Sequence, residues 1–300
     1  MDQLLSPKQV AAAIGASESS LKRWCDLGLL KMMKTAGGHR RISVQEALRF
    51  VREHDHAVVE PHLLSIPATI DPKARRIEGS ADRLTNALLA DNQQACHAIL
   101  FDLFLAGESI SRIFDEVVAP AFRNIGDKWE CNEAEVYQER RSCHLMLRLL
   151  HDLRSKQVAP NPSFVALGAT IEGDHYDLPS TMAEIVLRSI DCDARFLGTS
   201  IPFDSLVKAV KTQSPALFWL SVSFIADESE FIDGFNRLSA AAKNKTAIVV
   251  GGRALTSDIR RRMVYSAFCD TMRHLEEFGK TLRRQTDSTS KKTSNTRTNA

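Results

Sequence analysis

The sequence predicts a multi-domain chain: an N-terminal winged helix-turn-helix of the all-α class, a helical bundle, and a doubly wound α/β unit with a parallel, flavodoxin- or Rossmann-like sheet. Three observations predict it. Two short capped helical patterns precede a basic run with paired glycines, Lys34-Thr35-Ala36-Gly37-Gly38-His39-Arg40-Arg41. Apolar residues then recur at three- and four-residue spacing through the middle of the chain. Beyond residue 160 the period changes to short apolar runs separated by amphipathic stretches, the mark of strand–helix alternation.

Residues 1–56 make the first domain. Ser6 caps a helix through Val10 to Ile14, with Pro7 in its first turn, and Gly15 ends it. Ser17 caps a second helix, and Glu18 suits its positive end. Leu21, Trp24 and Cys25 share the inward face, and Gly28 closes the helix. Gly37 and Gly38 permit a tight turn, because glycine adopts backbone angles that other residues avoid. Ser43 caps a third helix, with Glu46 in the capping-box position and Val44, Ala47, Leu48 and Val51 as its buried stripe.

Residues 57–79, interrupted by Pro61, Pro67 and Pro72, read as a linker. Residues 80–160 carry Leu84, Leu88, Leu89, Ile99, Leu100, Leu103 and Phe104, then Ile110, Ile113, Phe114 and Val117, then leucines over 145–153. A bundle of about four helices fits that length. Residues 161–285 hold buried strands at 164–167, 194–197, 217–222 and 247–250, a weaker fifth at Phe268, and helices over 180–190, 203–212, 228–242 and 272–285. In such a sheet, ligands sit beyond the carboxyl ends of the strands. Residues 286–300 are polar up to the terminal Ala300 and predict a disordered tail.

Composition narrows the function. The chain has 300 residues, 44% of them apolar and 25% charged, which is ordinary for a soluble globular protein. A net charge of +2 excludes a polybasic nucleic-acid binder, so any DNA affinity comes from a local patch. The longest apolar stretches, such as 216–224, are too short to span a bilayer, and Asp2 and Lys8 interrupt any signal peptide. Six scattered cysteines without a C-x-x-C pair argue against disulfides and zinc and for a cytoplasmic location, with no membrane partner.

In a helix-turn-helix the second helix enters the major groove and its early residues approach base edges. Here those are Ser19, Ser20, Lys22 and Arg23. Arg23 suits a guanine edge and Lys22 a phosphate. In the wing, Lys34, Thr35, His39, Arg40 and Arg41 are donors for phosphate oxygens. The expected partner is a double-stranded DNA operator. The alternative is a small helical interaction module with a solvated basic loop. The stretch Leu21-Lys22-Arg23-Trp24 through Gly28-Leu29-Leu30, followed by the wing, resembles MerR-type and excisionase-type DNA-binding domains. That resemblance implies a homo-oligomer, dimer or tetramer, on a two-fold-related operator.

The helical segment carries Pro120-Ala121-x-x-x-Ile125-Gly126-x-x-Trp129 and then Glu139. This resembles the helical cap of cobalamin-binding regulators of the CarH/LitR type and of cobalamin-dependent methyltransferases. The resemblance implies that Trp129 and Glu139 cover the upper face of a corrin, with Arg140 where the family has a histidine. Read without that resemblance, Trp129 is a large core residue, a common fate for a tryptophan. The sheet segment resembles the cobalamin-binding fold, whose pattern is D-x-H-x-x-G, then S-x-L/T/S, then G-G. Ser221-Val222-Ser223 and Gly251-Gly252 match the later parts. They imply hydroxyls on the dimethylbenzimidazole tail and close backbone approach to it.

The first part of that pattern departs: Asp174 takes the Asp position, Tyr176 the His position and Pro179 the Gly position. A phenol titrating near pH 10 is a poor replacement for imidazole on cobalt. A one-residue slip brings in His175 as axial ligand; the other reading is an exposed loop histidine between two acids. Three functions follow. One is a transcriptional regulator that senses a ligand, cobalamin or light through adenosylcobalamin, and controls oligomerisation on the operator. The second is a ligand-independent regulator whose degenerate pocket serves oligomerisation or protein partners. The third, a corrinoid-dependent methyltransferase-like protein, finds no acid/base or nucleophile constellation, so the chain is not expected to be an enzyme.

Overall fold

A computed structural model describes residues 3–66, 76–131, 135–158, 164–243 and 245–297, with side chains left out at 130 and 287–297. The chain divides into two compact units, Met1–Val158 and Ala159–Ala300. Among the described residues no helix is long and apolar enough to cross a membrane.

The first unit opens with β1 (Leu4–Leu5), α1 (Pro7–Ala13), α2 (Glu18–Asp26), β2 (Met33–Lys34), β3 (Arg40–Ser43) and α3 (Val44–Glu53). The expected caps form: Ser6, Ser17 and Ser43 accept hydrogen bonds from the amides of Gln9, Ser20 and Glu46. The all-α label needs correction, because β1, β3 and β2 pair as a small antiparallel sheet in that order. Leu4–Leu5 is too short for strand periodicity to reveal it. Glu46 also departs from the capping-box role. Its carboxylate is buried, where it accepts from the Lys31 amide at 2.7 Å and from Arg49 Nε at 2.9 Å. Arg49 in turn donates to the Leu29 carbonyl at 3.0 Å, so this pair shapes the turn that leaves α2.

A 3-10 turn at Pro61–Leu64 follows, with Leu64 and Ile66 buried. This part of the expected linker is therefore packed; Pro67 and Pro72 lie outside the described residues. The bundle comprises α4 (Ser80–Leu89), α5 (Gln93–Leu105), a helix running through α6 (Ile110–Ile113) and α7 (Ala119–Glu130), and α8 (Val136–Lys156). A π turn at Phe114–Val118 joins α6 to α7. Pro120 explains it: proline has no amide hydrogen for the carbonyl four residues back, and widening the preceding turn absorbs the gap. Helix α3 docks on this bundle. Arg52 donates to the Glu108 carbonyl at 3.1 Å and lies 3.9 Å above the Phe104 ring. Gln45 donates to the Ser155 carbonyl at 3.1 Å.

The second unit alternates β4 (Phe164–Thr170), α9 (Leu178–Arg188), β5 (Cys192–Phe196), α10 (Phe203–Gln213), β6 (Leu217–Ser221), α11 (Glu228–Ala242), β7 (Ala247–Gly251), α12 (Ser257–Arg261), β8 (Ala267–Phe268) and α13 (Met272–Arg297). The strands are parallel in the order β5-β4-β6-β7-β8. The strand order reverses between β4 and β6, which opens a crevice at their carboxyl ends. Phe218, Leu220 and Val222 face a core built with Phe231, Phe235 and Leu238. Leu217 and Trp219 face the other core, with Ala183, Leu187, Ile190 and Leu275. The expected disordered tail continues the α13 backbone helix to Arg297. No glycine or proline stands between 281 and 297 to stop it, and extending an existing helix is far easier than starting one.

Gly252 shows how tight the carboxyl end is. Its φ is +116°, and a Cβ there would stand 2.2 Å from the Val222 carbonyl oxygen. Gly252→Ala is expected to lower unfolding free energy by about 3 kcal/mol in a urea titration, combining backbone strain with overpacking.

Candidate functional site

The N-terminal surface places the basic residues on two adjoining elements. Thr35 and His39 close the wing: the Thr35 amide donates to the His39 carbonyl at 2.9 Å, and the His39 amide donates to Thr35 Oγ1 at 3.2 Å. Gly38, at φ +77°, supplies the left-handed residue of that turn. β2 and β3 pair Lys34 with Arg40 and Met33 with Arg41. Lys34 and His39 are exposed at the wing. Arg23 is exposed on α2.

The remaining donors have intramolecular partners. Arg40 pairs with Asp26 at 2.8 Å and reaches the Lys22 carbonyl at 3.4 Å, so it braces the wing against the end of α2. Arg41 donates to the Arg40 carbonyl at 3.0 Å. Ser19 and Ser20 hydroxyls lie 2.8 and 3.0 Å from Ser17 Oγ, inside the cap of α2. Lys22 stands 3.8 Å from Glu18 and is half exposed. Trp24 rests against Phe50 and His56, each with ring centroids 5.0 Å away, which is the inward packing expected of it.

In the bundle, Trp129 on α7 is 49% exposed, so it is not a core residue. Glu139, in the first turn of α8, is half-buried, 3.9 Å from Arg140 and 4.0 Å from Cys143 Sγ. Tyr137, one turn before Arg141, is among the most exposed large side chains.

At the carboxyl end of the sheet, Asp174 is 1% exposed. One carboxylate oxygen accepts from the Tyr176 amide at 3.0 Å. The other accepts from the Ser223 amide at 2.6 Å and the Phe224 amide at 3.3 Å. Its own carbonyl accepts from Thr170 Oγ1 and the Ser200 amide. Asp174 thus ties the loop after β4 to the loop after β6, across the crevice. His175 is exposed beside it, and none of the hydrogen bonds to the Asp174 carboxylate comes from its ring. Tyr176 is half-buried. Pro179 lies in the first turn of α9.

Ser221 is buried, Ser223 half-buried. Ser221 pairs in register with Thr170 on one side and Gly251 on the other. Both glycines of the pair answer to the protein's own backbone: a Cβ on Gly251 would stand 2.6 Å from the Cys269 carbonyl oxygen, and one on Gly252 would meet Val222.

Three comparisons bear on this arrangement. Residues 80–153 match the family model described as a B12 binding domain. A curated relative, the HTH-type transcriptional repressor CarH of Myxococcus xanthus, is 24% identical over 247 residues, covering 77% of this chain and 82% of that protein. The chain is thus similar to that repressor over most of its length. Among solved structures, the monomethylamine corrinoid protein of Methanosarcina barkeri aligns with a TM-score of 0.59 at 16% identity, covering 69% of this chain and all of that one. This last likeness concerns the fold alone.

Three of the thiols are held in their neutral form by burial. Burial pushes Cys96 and Cys192 up to about 12 and Cys269 up to about 11, which keeps them protonated near neutral pH. Sequence reasoning missed Trp219, whose indole lies over Gly168 of the neighbouring strand. The signal was available: a bulky aromatic in one buried strand beside a glycine in another. It also missed that the Asp174 carboxylate is taken up by backbone amides. Asp174→Ala is expected to cost roughly 2–4 kcal/mol in chemical denaturation, because three partly buried amides lose a charged acceptor.

Proposed function

We propose that this chain is a DNA-binding transcriptional regulator, with α2 and the wing as its DNA-contacting elements. The observation that carries the reading is the braced hairpin beside a capped helix, with Arg23, Lys34 and His39 exposed on the two elements. Arg23 reads a base edge, and Lys22, Lys34, Thr35, His39 and Arg41 hold phosphates. Arg40 positions the wing. Ser19 and Ser20 serve through the cap and the phosphate backbone. CarH is named a repressor, which supports the same output class and a non-enzymatic role.

The partner at the second level is another copy of the chain, as a dimer or tetramer, and the B12-binding-type module sets how the wings are presented. A cobalt ligand from the 174–179 loop does not fit. The Asp174 carboxylate is committed to three amides, and His175 stands exposed without that carboxylate to orient it. The module therefore acts in oligomerisation without an axial imidazole. The second reading, cobalamin sensing, is favoured by the match of residues 80–153 and by exposed Trp129 with Glu139 in the next helix; there Ser221, Ser223, Gly251 and Gly252 would surround the cofactor.

Lys34→Ala and Arg41→Ala are each expected to weaken binding to all duplex sequences alike. Each should reduce the slope of log affinity against log salt by about 1. Titrations of fluorescent duplexes at several salt concentrations read this directly, and unchanged slopes would remove the wing from the interface. Sedimentation velocity separates the two readings of the module. The oligomeric state is expected to be the same with and without adenosylcobalamin, in darkness and after illumination; a cobalamin-dependent shift would establish the sensing reading instead.

A further inference from the structure

The cofactor implied by the B12-binding-type module has a flat, fused-ring nucleotide base, and the α9 face of the sheet shows whether such a ring fits. Ser221 follows Trp219 by two residues on β6, so both side chains point to the same face. That face carries α9, through Ala183 and Leu187, whereas Phe218, Leu220 and Val222 point to the opposite core. A group that entered the crevice and passed Ser221 on the α9 side would next meet position 219.

Position 219 is filled. Gly168 of β4 is the register partner of Trp219, and the indole lies across it. A Cβ on Gly168 would fall 1.7 Å from Cε2, 2.0 Å from Cδ2 and 2.3 Å from Nε1 of the ring. The indole therefore occupies the space of the side chain that Gly168 lacks. It is 3% exposed and belongs to one buried apolar cluster with Ala166, Ala183, Leu187, Ala194 and Val249. Its Nε1 is buried without a hydrogen-bond partner, so shape rather than polarity holds the ring there. Buried indoles usually find an acceptor, and protein interiors are too densely packed to take a second ring system beside this one.

Indole and benzimidazole are both flat fused five- and six-membered rings of nearly equal size. We infer that Trp219 fills, from within the chain, the space beneath Ser221 that the nucleotide base of a cobalamin would take, so that the sheet unit excludes a cobalamin whose tail enters the fold. Trp219 is thus a specificity-determining residue of the module. The inference rests on reading the second unit as B12-binding-type. It is independent of DNA recognition, which the duplex titrations test separately.

The test uses the full chain and two corrinoid probes in darkness: hydroxocobalamin, which has the tail, and cobinamide, which lacks it. Affinities are read from corrin absorbance in equilibrium dialysis. The wild-type chain is expected to retain no hydroxocobalamin after desalting. Trp219→Ala should gain affinity for hydroxocobalamin by at least about tenfold while its affinity for cobinamide stays unchanged. Wild-type retention of hydroxocobalamin at one per chain would overturn the inference. So would the absence of any gain in a folded variant, or an equal gain for both probes. Should Trp219→Ala fail to melt cooperatively, Trp219→Val, which leaves less empty volume, is read by the same criteria.

Discussion

The carboxyl end of the sheet depends on one buried carboxylate. Asp174 sits where the chain reverses its winding, and two loops that diverge from neighbouring strands would otherwise expose three amides with no acceptor. A carboxylate can satisfy all of them at once because each oxygen has two lone pairs. With the loops tied, Gly252 can pass within touching distance of Val222, and Ser221 is held between Thr170 and Gly251. The same commitment withdraws the carboxylate from any imidazole. A group that orients a metal ligand in one setting here serves the backbone, and the exposed His175 shows the result.

The N-terminal surface follows a comparable logic with charges of opposite sign. Asp26 takes Arg40 out of the pool of free cations and uses it to fix the angle between wing and helix. Buried Glu46, with Arg49, fixes the turn between them. A flexible wing would lose conformational entropy on docking; a braced one has already lost it in the folded state. The number of donors facing outward is smaller than the basic composition of the segment, but their placement is more definite.

Much of the architecture was legible because it is encoded locally. Ser6, Ser17 and Ser43 announce helix starts through bonds to amides three residues on, and Gly37-Gly38 announces the hairpin. The apolar runs after residue 160 mark strands because both faces of a parallel sheet are covered. What escaped was set by partners distant in sequence. Leu4–Leu5 becomes a strand only because β3 lies beside it. The Trp219 indole has its place only because register brings Gly168 against it, 51 positions earlier by subtraction of the two numbers. Asp174 looks like a ligand-orienting acid until the amides of Ser223 and Phe224 arrive from another loop. The helical backbone beyond Thr286 runs against a composition that favours disorder.

Helix α3 belongs to two structures at once. It is the last helix of the N-terminal segment, and through Arg52 on Phe104 and Gln45 on Ser155 it is also a wall of the bundle. The N-terminal segment is therefore not an interchangeable cassette. Grafted onto a foreign partner, residues 1–56 would carry an uncovered docking face, and the bundle left behind would lose part of its packing. Any inheritance that shuffled such parts had to carry the joint along with them, so the N-terminal segment and the bundle are constrained to change together.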